Sequence, residues 1–284
     1  MKMRAFHKAA LVVLGLAGVW ACADRITGGP SAHRSPGAVA VRSRLPYSEP
    51  ASRNPYAFVG VIHNQALGYG FQQIRQATHT DRKTSLTKDD YYRIAETSLA
   101  TFFDQRGMGR LTAGQARDWR GILEQHPNAS ARELAGVMAL QPNDGSLIDV
   151  SPEAWSYLNQ ILWIADNAQT MTELSDQLVA VEFQAGSTLS GTDLEIVYAT
   201  AAVTASSAAY WEANYDQWHS LCEADPLACS GEAIPGEMTI QRVNGWKVLG
   251  ADVVGCIAGF YGGAWVGCAI GAAAASINSI IGQI

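Results

Sequence analysis

The sequence predicts an all-α helical bundle that ends in a glycine-zipper helical hairpin. Three observations predict this fold class. Apolar residues recur at helical spacing over most of the chain after residue 54, signals for strands are scarce, and residues 241–284 carry small side chains four positions apart. The part of the chain from residue 54 onward is long enough to bury one substantial core.

Capping residues mark the starts of most of the predicted helices. A Ser or Thr followed three residues later by an acid or Gln can exchange hydrogen bonds with the first backbone amides of a helix. This pattern predicts helices that begin at Thr87, Thr112, Ser130, Thr170 and Thr192. Pro55 and Pro152 suit the first turns of two further helices. We expect the helix from Thr192 to run to about His219.

The tail contains a stripe of glycines with no charged side chain after Asp252. Small residues four apart lie on one helix face and let another helix approach backbone to backbone. Each glycine costs about 1 kcal/mol relative to alanine, so a close contact must offset the cost. The residues predicted to pack in this way are Gly255, Gly259, Gly263, Gly267 and Gly271.

The tail could fold in two ways. A single helix over residues 247–282 would be about 50 Å long and would hold Cys256 and Cys268 about 18 Å apart, too far to bond. A turn at residues 260–263 would give a hairpin in which the glycine faces and the two cysteines meet. We favour the hairpin, and we expect it to be buried in the bundle. Alternatively it enters a membrane, since residues 253–275 could span a bilayer once.

The N-terminus has the features of a secretion signal. Lys2, Arg4 and Lys8 precede a short apolar run. The sequence Val-Trp-Ala-Cys at residues 19–22 then resembles the lipobox of bacterial lipoproteins, although Trp20 replaces the usual small residue. The resemblance implies that Cys22 is lipidated and becomes the first mature residue. Ordinary cleavage near Ala21 is the alternative.

The chain therefore divides into four predicted parts. These are a signal peptide (1–21), a lipidated disordered tether rich in Pro and Gly (22–53), a helical domain (54–240) and a glycine-rich apolar helical hairpin packed on it (241–284). We expect the protein in the bacterial cell envelope, held to a membrane by its lipid and facing the periplasm or the exterior.

The charge of the mature chain excludes one class of partner. Three of the 20 basic residues and none of the 26 acidic residues precede Cys22. The remainder has 17 basic against 26 acidic side chains, a net charge of −9. We therefore expect no binding to nucleic acid. A protein partner, or self-association through the glycine stripe, stays open.

The cysteines predict disulfides. Apart from Cys22, the chain has four, an even number in an exported protein. We expect the pairs Cys222–Cys229 and Cys256–Cys268, with four free thiols as the alternative. No His lies at ligand spacing from either pair, so no zinc site is expected, and no cofactor.

His63 and Asp252 are polar residues within mostly apolar stretches of the sequence, where burial without a partner would be costly. A buried carboxylate must be paired or neutralised. We therefore predict a buried polar cluster of His63, Asn64 and Asp252 that ties the first helix to the tail. Trp211, Tyr215 and Trp218 share one helix face, which is typical of core, with a ligand platform as the alternative.

Residues 54–67 read Asn-Pro-Tyr-Ala-Phe-Val-Gly-Val-Ile-His-Asn-Gln-Ala-Leu. This segment resembles the opening of a group of uncharacterised bacterial secreted proteins and lipoproteins, which also end in a Gly/Ala-rich, bacteriocin-like segment. The resemblance brings no established activity.

Function is less well determined than fold. The chain lacks the Gly-x-Ser-x-Gly, His-Glu-x-x-His and P-loop motifs. We expect a non-enzymatic envelope lipoprotein whose hairpin is core. The alternatives are a membrane-active, toxin-like protein whose tail inserts into bilayers, and a hydrolase that uses His63 and an acid.

Overall fold

A computed structural model describes residues 54–80, 86–109, 113–138, 150–224 and 245–283 of the chain. These residues are helical or in turns, with no strand among them, which confirms the predicted all-α class. The helices are α1 (Ala57–Thr80), α2 (Lys88–Gln105), α3 (Ala113–Gln125), α4 (Ala131–Val137), α5 (Pro152–Asn167), α6 (Met171–Thr188), α7 (Gly191–Ala224) and α8 (Gly245–Gln283). The predicted signal peptide, Cys22 and the tether lie outside the described residues.

Several of the predicted caps are confirmed. Thr87 and Ser130 each form a reciprocal capping box with the acid three residues later, at the starts of α2 and α4. The Ser151 hydroxyl accepts a hydrogen bond from the Ala154 amide and Pro152 opens α5. The Thr170 hydroxyl accepts from the Glu173 amide at the start of α6. These local signals fix where the amphipathic helices begin.

The prediction for α7 was wrong at both ends. The helix starts at Gly191, one residue before Thr192, and runs past His219 to Ala224. Gly191 has a φ of +58°, a conformation that glycine adopts without strain. The turn therefore uses glycine rather than the hydroxyl of Thr192. Thr112 lies outside the described residues.

The helix α8 folds back on itself to form a hairpin. Ala264, at a φ of +52°, lies where the chain reverses. A disulfide joins Cys256 to Cys268, with their Cα atoms 3.8 Å apart. A Cβ placed on Gly255 would lie 2.5 Å from the carbonyl oxygen of Gly271. The two arms thus touch through their backbones, which only glycine permits.

The second close contact follows one helical turn nearer the reversal. A Cβ on Gly259 would overlap the carbonyl group of Gly267 and lie 3.1 Å from the Cα of Gly271. Gly263 is the residue before Ala264 at the reversal. Four of the five predicted glycines, Gly255, Gly259, Gly267 and Gly271, therefore make the contact between the arms.

The hairpin is the centre of the bundle. It packs against α1, α2, α3, α4, α5 and α7. Most apolar residues of both arms are buried, and the exposed residues among those whose burial the structure describes are Lys247, Ala264 and Gly282. Because α8 has no polar face, its stability depends on this cover.

We expect Gly259→Ala to destabilise the fold by about 3 kcal/mol, because the added methyl overlaps the opposite backbone and separates the arms. Gly68 on α1 is a matched control, since a Cβ there meets nothing within 4 Å. Gly68→Ala is expected to stabilise the protein by about 0.5–1 kcal/mol through helix propensity. Urea unfolding of the two variants measures both effects. Equal effects would refute the backbone contact.

We expect replacement of Cys256 and Cys268 by alanine to cost about 3 kcal/mol, because the bond closes a short loop in the unfolded chain. Chemical unfolding of the variant and of the wild type checks the value. Mass spectrometry after alkylation under denaturing conditions, with and without reductant, checks the bond itself. Alkylation of both thiols without reductant would contradict it.

Candidate functional site

The strongest concentration of buried polar side chains lies where α1, α7 and the first arm of α8 meet. Gly60 makes this meeting close, because a Cβ on it would overlap the carbonyl oxygen of Ala202 and the side chain of Ser206. The approach places His63 of α1 opposite Asp252 of α8. We call the group of residues His63, Asn64, Ser207, Trp211 and Asp252 the polar centre.

Asp252 is the main hydrogen-bond acceptor of the polar centre. Its Oδ2 accepts hydrogen bonds from the Ser207 hydroxyl and from the Trp211 indole nitrogen, the latter at 3.2 Å. The His63 Nε2 lies 3.7 Å from the same oxygen, and both side chains are fully buried. Asp252 Oδ1 and His63 Nε2 make no hydrogen bond. The hydrogen bonds to the carboxylate therefore come from α7 alone, His63 of α1 faces the same oxygen, and Oδ1 has unused capacity.

Asn64 fixes the orientation of the His63 ring. The Asn64 amide nitrogen donates to the Ser206 carbonyl at 2.9 Å, which leaves the amide oxygen 3.0 Å from His63 Nδ1. An amide oxygen only accepts, so Nδ1 carries the hydrogen. The other ring nitrogen, Nε2, then faces Asp252. The structure brings together the three residues that the sequence grouped.

Aromatic side chains of α7 pack beside the polar centre. Trp211 and Trp218 are buried, with ring centroids 5.7 Å apart, and Trp218 donates to the Tyr210 hydroxyl at 3.0 Å. Burial raises the pKa of Tyr210, the hydrogen bond from Trp218 partly offsets the rise, and the charge of Asp252 adds to it. The aromatic stripe predicted on α7 is thus mainly core, with Tyr215 partly buried beside it.

Sequence reasoning missed Ser207 and Trp211 as partners of Asp252. They lie four residues apart on α7, so they share a face. A Ser and a Trp in an alanine-rich helix are the signal that could have found them, because both carry a donor that needs a buried acceptor. The sequence did not show which acid would supply it.

The polar centre does not have the geometry of a hydrolase site. The Ser207 hydroxyl donates to Asp252 rather than to His63, so the histidine cannot take its proton as a general base would. Ser207, His63 and Asp252 are each 0% exposed. A substrate therefore has no route to these groups in this conformation.

A second buried polar contact anchors the start of the described chain. The Asn54 amide nitrogen donates to Glu182 of α6 at 2.6 Å and to the Tyr198 carbonyl of α7 at 2.8 Å. Burial raises the pKa of Glu182, and the bond from Asn54 partly offsets the rise. The contact fixes the point at which the N-terminal segment joins the bundle.

A cleft of about 730 Å³ lies at the open end of the hairpin, between α2, α3 and both ends of α8. Two lysines line it. Lys88 donates to the Gly282 carbonyl at 2.9 Å, and Lys247 donates to Asn128 Oδ1 at 2.7 Å. Lys88 satisfies a carbonyl at the end of a helix, where a cation also opposes the helix dipole. Its role is thereby explained as a cap.

The remaining sequence-based questions concern a metal site, the Cys222–Cys229 bond and a membrane span. Among the described residues, no group of three or more His, Cys, Asp or Glu side chains could hold a metal ion. The side chain of Cys222 and the whole of Cys229 lie outside what the structure describes, so their predicted bond stays a prediction. One described helical segment, Ala264–Gln283, is long and apolar enough to cross a membrane, and 67% of its most apolar stretch is buried.

Comparison with protein-family models, with curated proteins and with solved structures finds no match for this chain.

We expect His63→Ala and Asp252→Asn to be non-additive in their effects on stability, by about 1 kcal/mol, because the two side chains share one buried contact. A double-mutant cycle in urea measures the coupling. As a control, Asp252→Asn should be additive with Gly68→Ala, which lies outside the polar centre. Additive effects in the first cycle would show that His63 and Asp252 do not interact.

We expect Glu182→Gln to stabilise the fold at neutral pH, with a benefit that fades as the pH falls. Burial raises the folded-state pKa of Glu182, so folding disfavours the charged form. The contribution of Glu182 to folding stability is therefore largest at low pH, where the acid is protonated in both states. This contribution falls as the pH rises from the unfolded pKa of about 4.5 to the higher folded pKa. Thermal unfolding of both proteins at pH 3.5 and pH 7 tests this. A difference that is the same at both pH values would contradict it.

Proposed function

We propose that this chain is a non-enzymatic cell-envelope lipoprotein, tethered through Cys22, in which the glycine-rich hairpin is the permanent core of the folded domain. The observation that supports this best is the enclosure of the hairpin by six other helices. A tail designed for display to a partner would leave its small-residue stripe free, whereas here the stripe is used inside the hairpin.

The polar centre supports the same proposal. Asp252 is the last charged residue of the tail, and α1 and α7 both supply groups that face it. Removing the hairpin would leave the Ser207 hydroxyl and the Trp211 indole without their acceptor. Each unpaired buried donor costs about 1–3 kcal/mol, so the bundle and hairpin are expected to fold as one unit.

Two measurements test the proposal. The first is labelling of cells with an alkyne palmitate analogue, which should mark the wild type and not Cys22→Ser. The second is unfolding of a chain that ends at Gly245, which should lose its cooperative transition. An unlabelled wild type would remove the lipid anchor from the proposal. A truncated chain that unfolds cooperatively would show that the hairpin is not core.

A membrane-active, toxin-like protein is the second candidate. The length and apolar composition of Ala264–Gln283 favour it. Dye release from phosphatidylcholine vesicles, with and without reductant, separates the two functions. Release that requires the tail and increases when the Cys256–Cys268 bond is reduced would favour insertion. The same experiment without release would favour the core. The buried position of His63 gives a hydrolase little support.

A further inference from the structure

We propose that the reversal of the hairpin, together with the first turns of α1, docks shallowly onto a lipid surface. The surface concerned consists of Tyr56, Phe58, Val61 and Trp265, and we call it the aromatic tip. Phe58 and Trp265 are in edge-to-face contact, with ring centroids 4.8 Å apart. Phe58 is 41% exposed and Val61 38% exposed, although both are large apolar side chains. The tip therefore leaves apolar area in water at a site built by two distant segments.

The elements that form the tip carry almost no charge. On α1 no acidic or basic side chain precedes Arg75, and none follows Asp252 in α8. The adjacent α7 has none between Glu195 and Glu212. In a protein with 26 acidic and 20 basic residues, these long stretches without a charged side chain are a distinct feature of the described chain. It removes the desolvation cost that charged groups would impose on approach to a bilayer.

The composition of the tip suits a membrane interface rather than the hydrocarbon core. Tyr and Trp prefer the headgroup level, where the ring is buried and the polar atom stays wet. Burial raises the pKa of the Tyr56 phenol, and the nearby charge of Glu195 raises it further. A carboxylate at the edge of the tip limits how deeply this end can sink.

The position of the chain entry points to lipid as the occupant. Asn54, held by Glu182 and the Tyr198 carbonyl, fixes the entry two residues before Tyr56. The segment 23–53, which leads back to Cys22, joins the described part of the chain here. A lipid on Cys22 would raise the local concentration of the tip at the membrane, so a weak contact suffices. This step rests on the proposed lipid anchor.

A second copy of the chain is the competing occupant. Phe58 and Val61 are the exposed side chains of the tip, and Tyr56 and Trp265 are partly buried beside them. A stable dimer, in contrast, buries about 1,200–2,000 Å² in total. The tip is small for that purpose. A bilayer needs no shape complementarity, so a small aromatic surface suits it better.

The test uses the mature chain from residue 22 with Cys22→Ser, so that neither an acyl chain nor the signal peptide contributes to binding. Sedimentation with phosphatidylcholine vesicles gives the partition coefficient of the parent and of the variant Phe58→Ser/Trp265→Ser. We expect the double substitution to lower partitioning about tenfold. Binding should be unchanged between low and high salt, because none of the four side chains of the tip is charged. Thermal unfolding confirms that the double variant is folded.

Phe183→Ser is the matched control. Phe183 is 72% exposed on α6, which packs on α5 and α7 and supplies none of the four side chains of the tip. The control should bind as the parent does. Equal losses in the control and the double variant, or a parent that does not bind, would overturn the proposal. So would a dimer seen by light scattering that the double substitution abolishes without an effect on vesicles. Failure of palmitate labelling would affect the anchor alone, because this assay does not use it.

Discussion

The structure depends on the backbone contact between the two arms of α8. At Gly255 and Gly271 no side chain separates the helices, so the arms come closer than any other residue would allow. Helix propensity opposes this use of glycine, by about 1 kcal/mol at each position. The contact persists because it narrows the hairpin enough for surrounding helices to enclose it. A wider hairpin would leave an apolar helix partly in water.

Enclosure of the hairpin explains the polar centre. Once the first arm is buried, Asp252 is buried with it, and its carboxylate must find donors in the surrounding helices. The Ser207 hydroxyl and the Trp211 indole supply them from α7, and His63 faces the same oxygen from α1. These contacts are directional, whereas the apolar contacts around them are not. We infer that Asp252 sets the register of the hairpin against α1 and α7.

The sequence was informative where a local rule decides the structure and less so where distant residues decide it. Capping at Thr87 and Ser130 depends on neighbours within three residues, so it was predictable. The pairing of Asp252 with Ser207 and Trp211 depends on how α7 crosses α8, which no local pattern encodes. The prediction for the start of α7 failed for a different reason, because Gly191 at positive φ begins the helix in place of the expected Thr192 cap. The tie from Asn54 to Glu182 likewise joins residues that are far apart in sequence.

The position of Asp252 also separates shallow docking from deep insertion. It precedes Ala264, at the reversal, by about 18 Å of helix, which is well short of the roughly 30 Å of hydrocarbon that a spanning arm must cross. An arm inserted across the bilayer would therefore carry Asp252 into the hydrocarbon, where a carboxylate costs about 2.5–3.5 kcal/mol or more. It would also leave Ser207 and Trp211 without an acceptor in the remaining bundle. Docking at the aromatic tip incurs neither cost. The same carboxylate that holds the hairpin in the bundle thus favours a membrane contact limited to its tip.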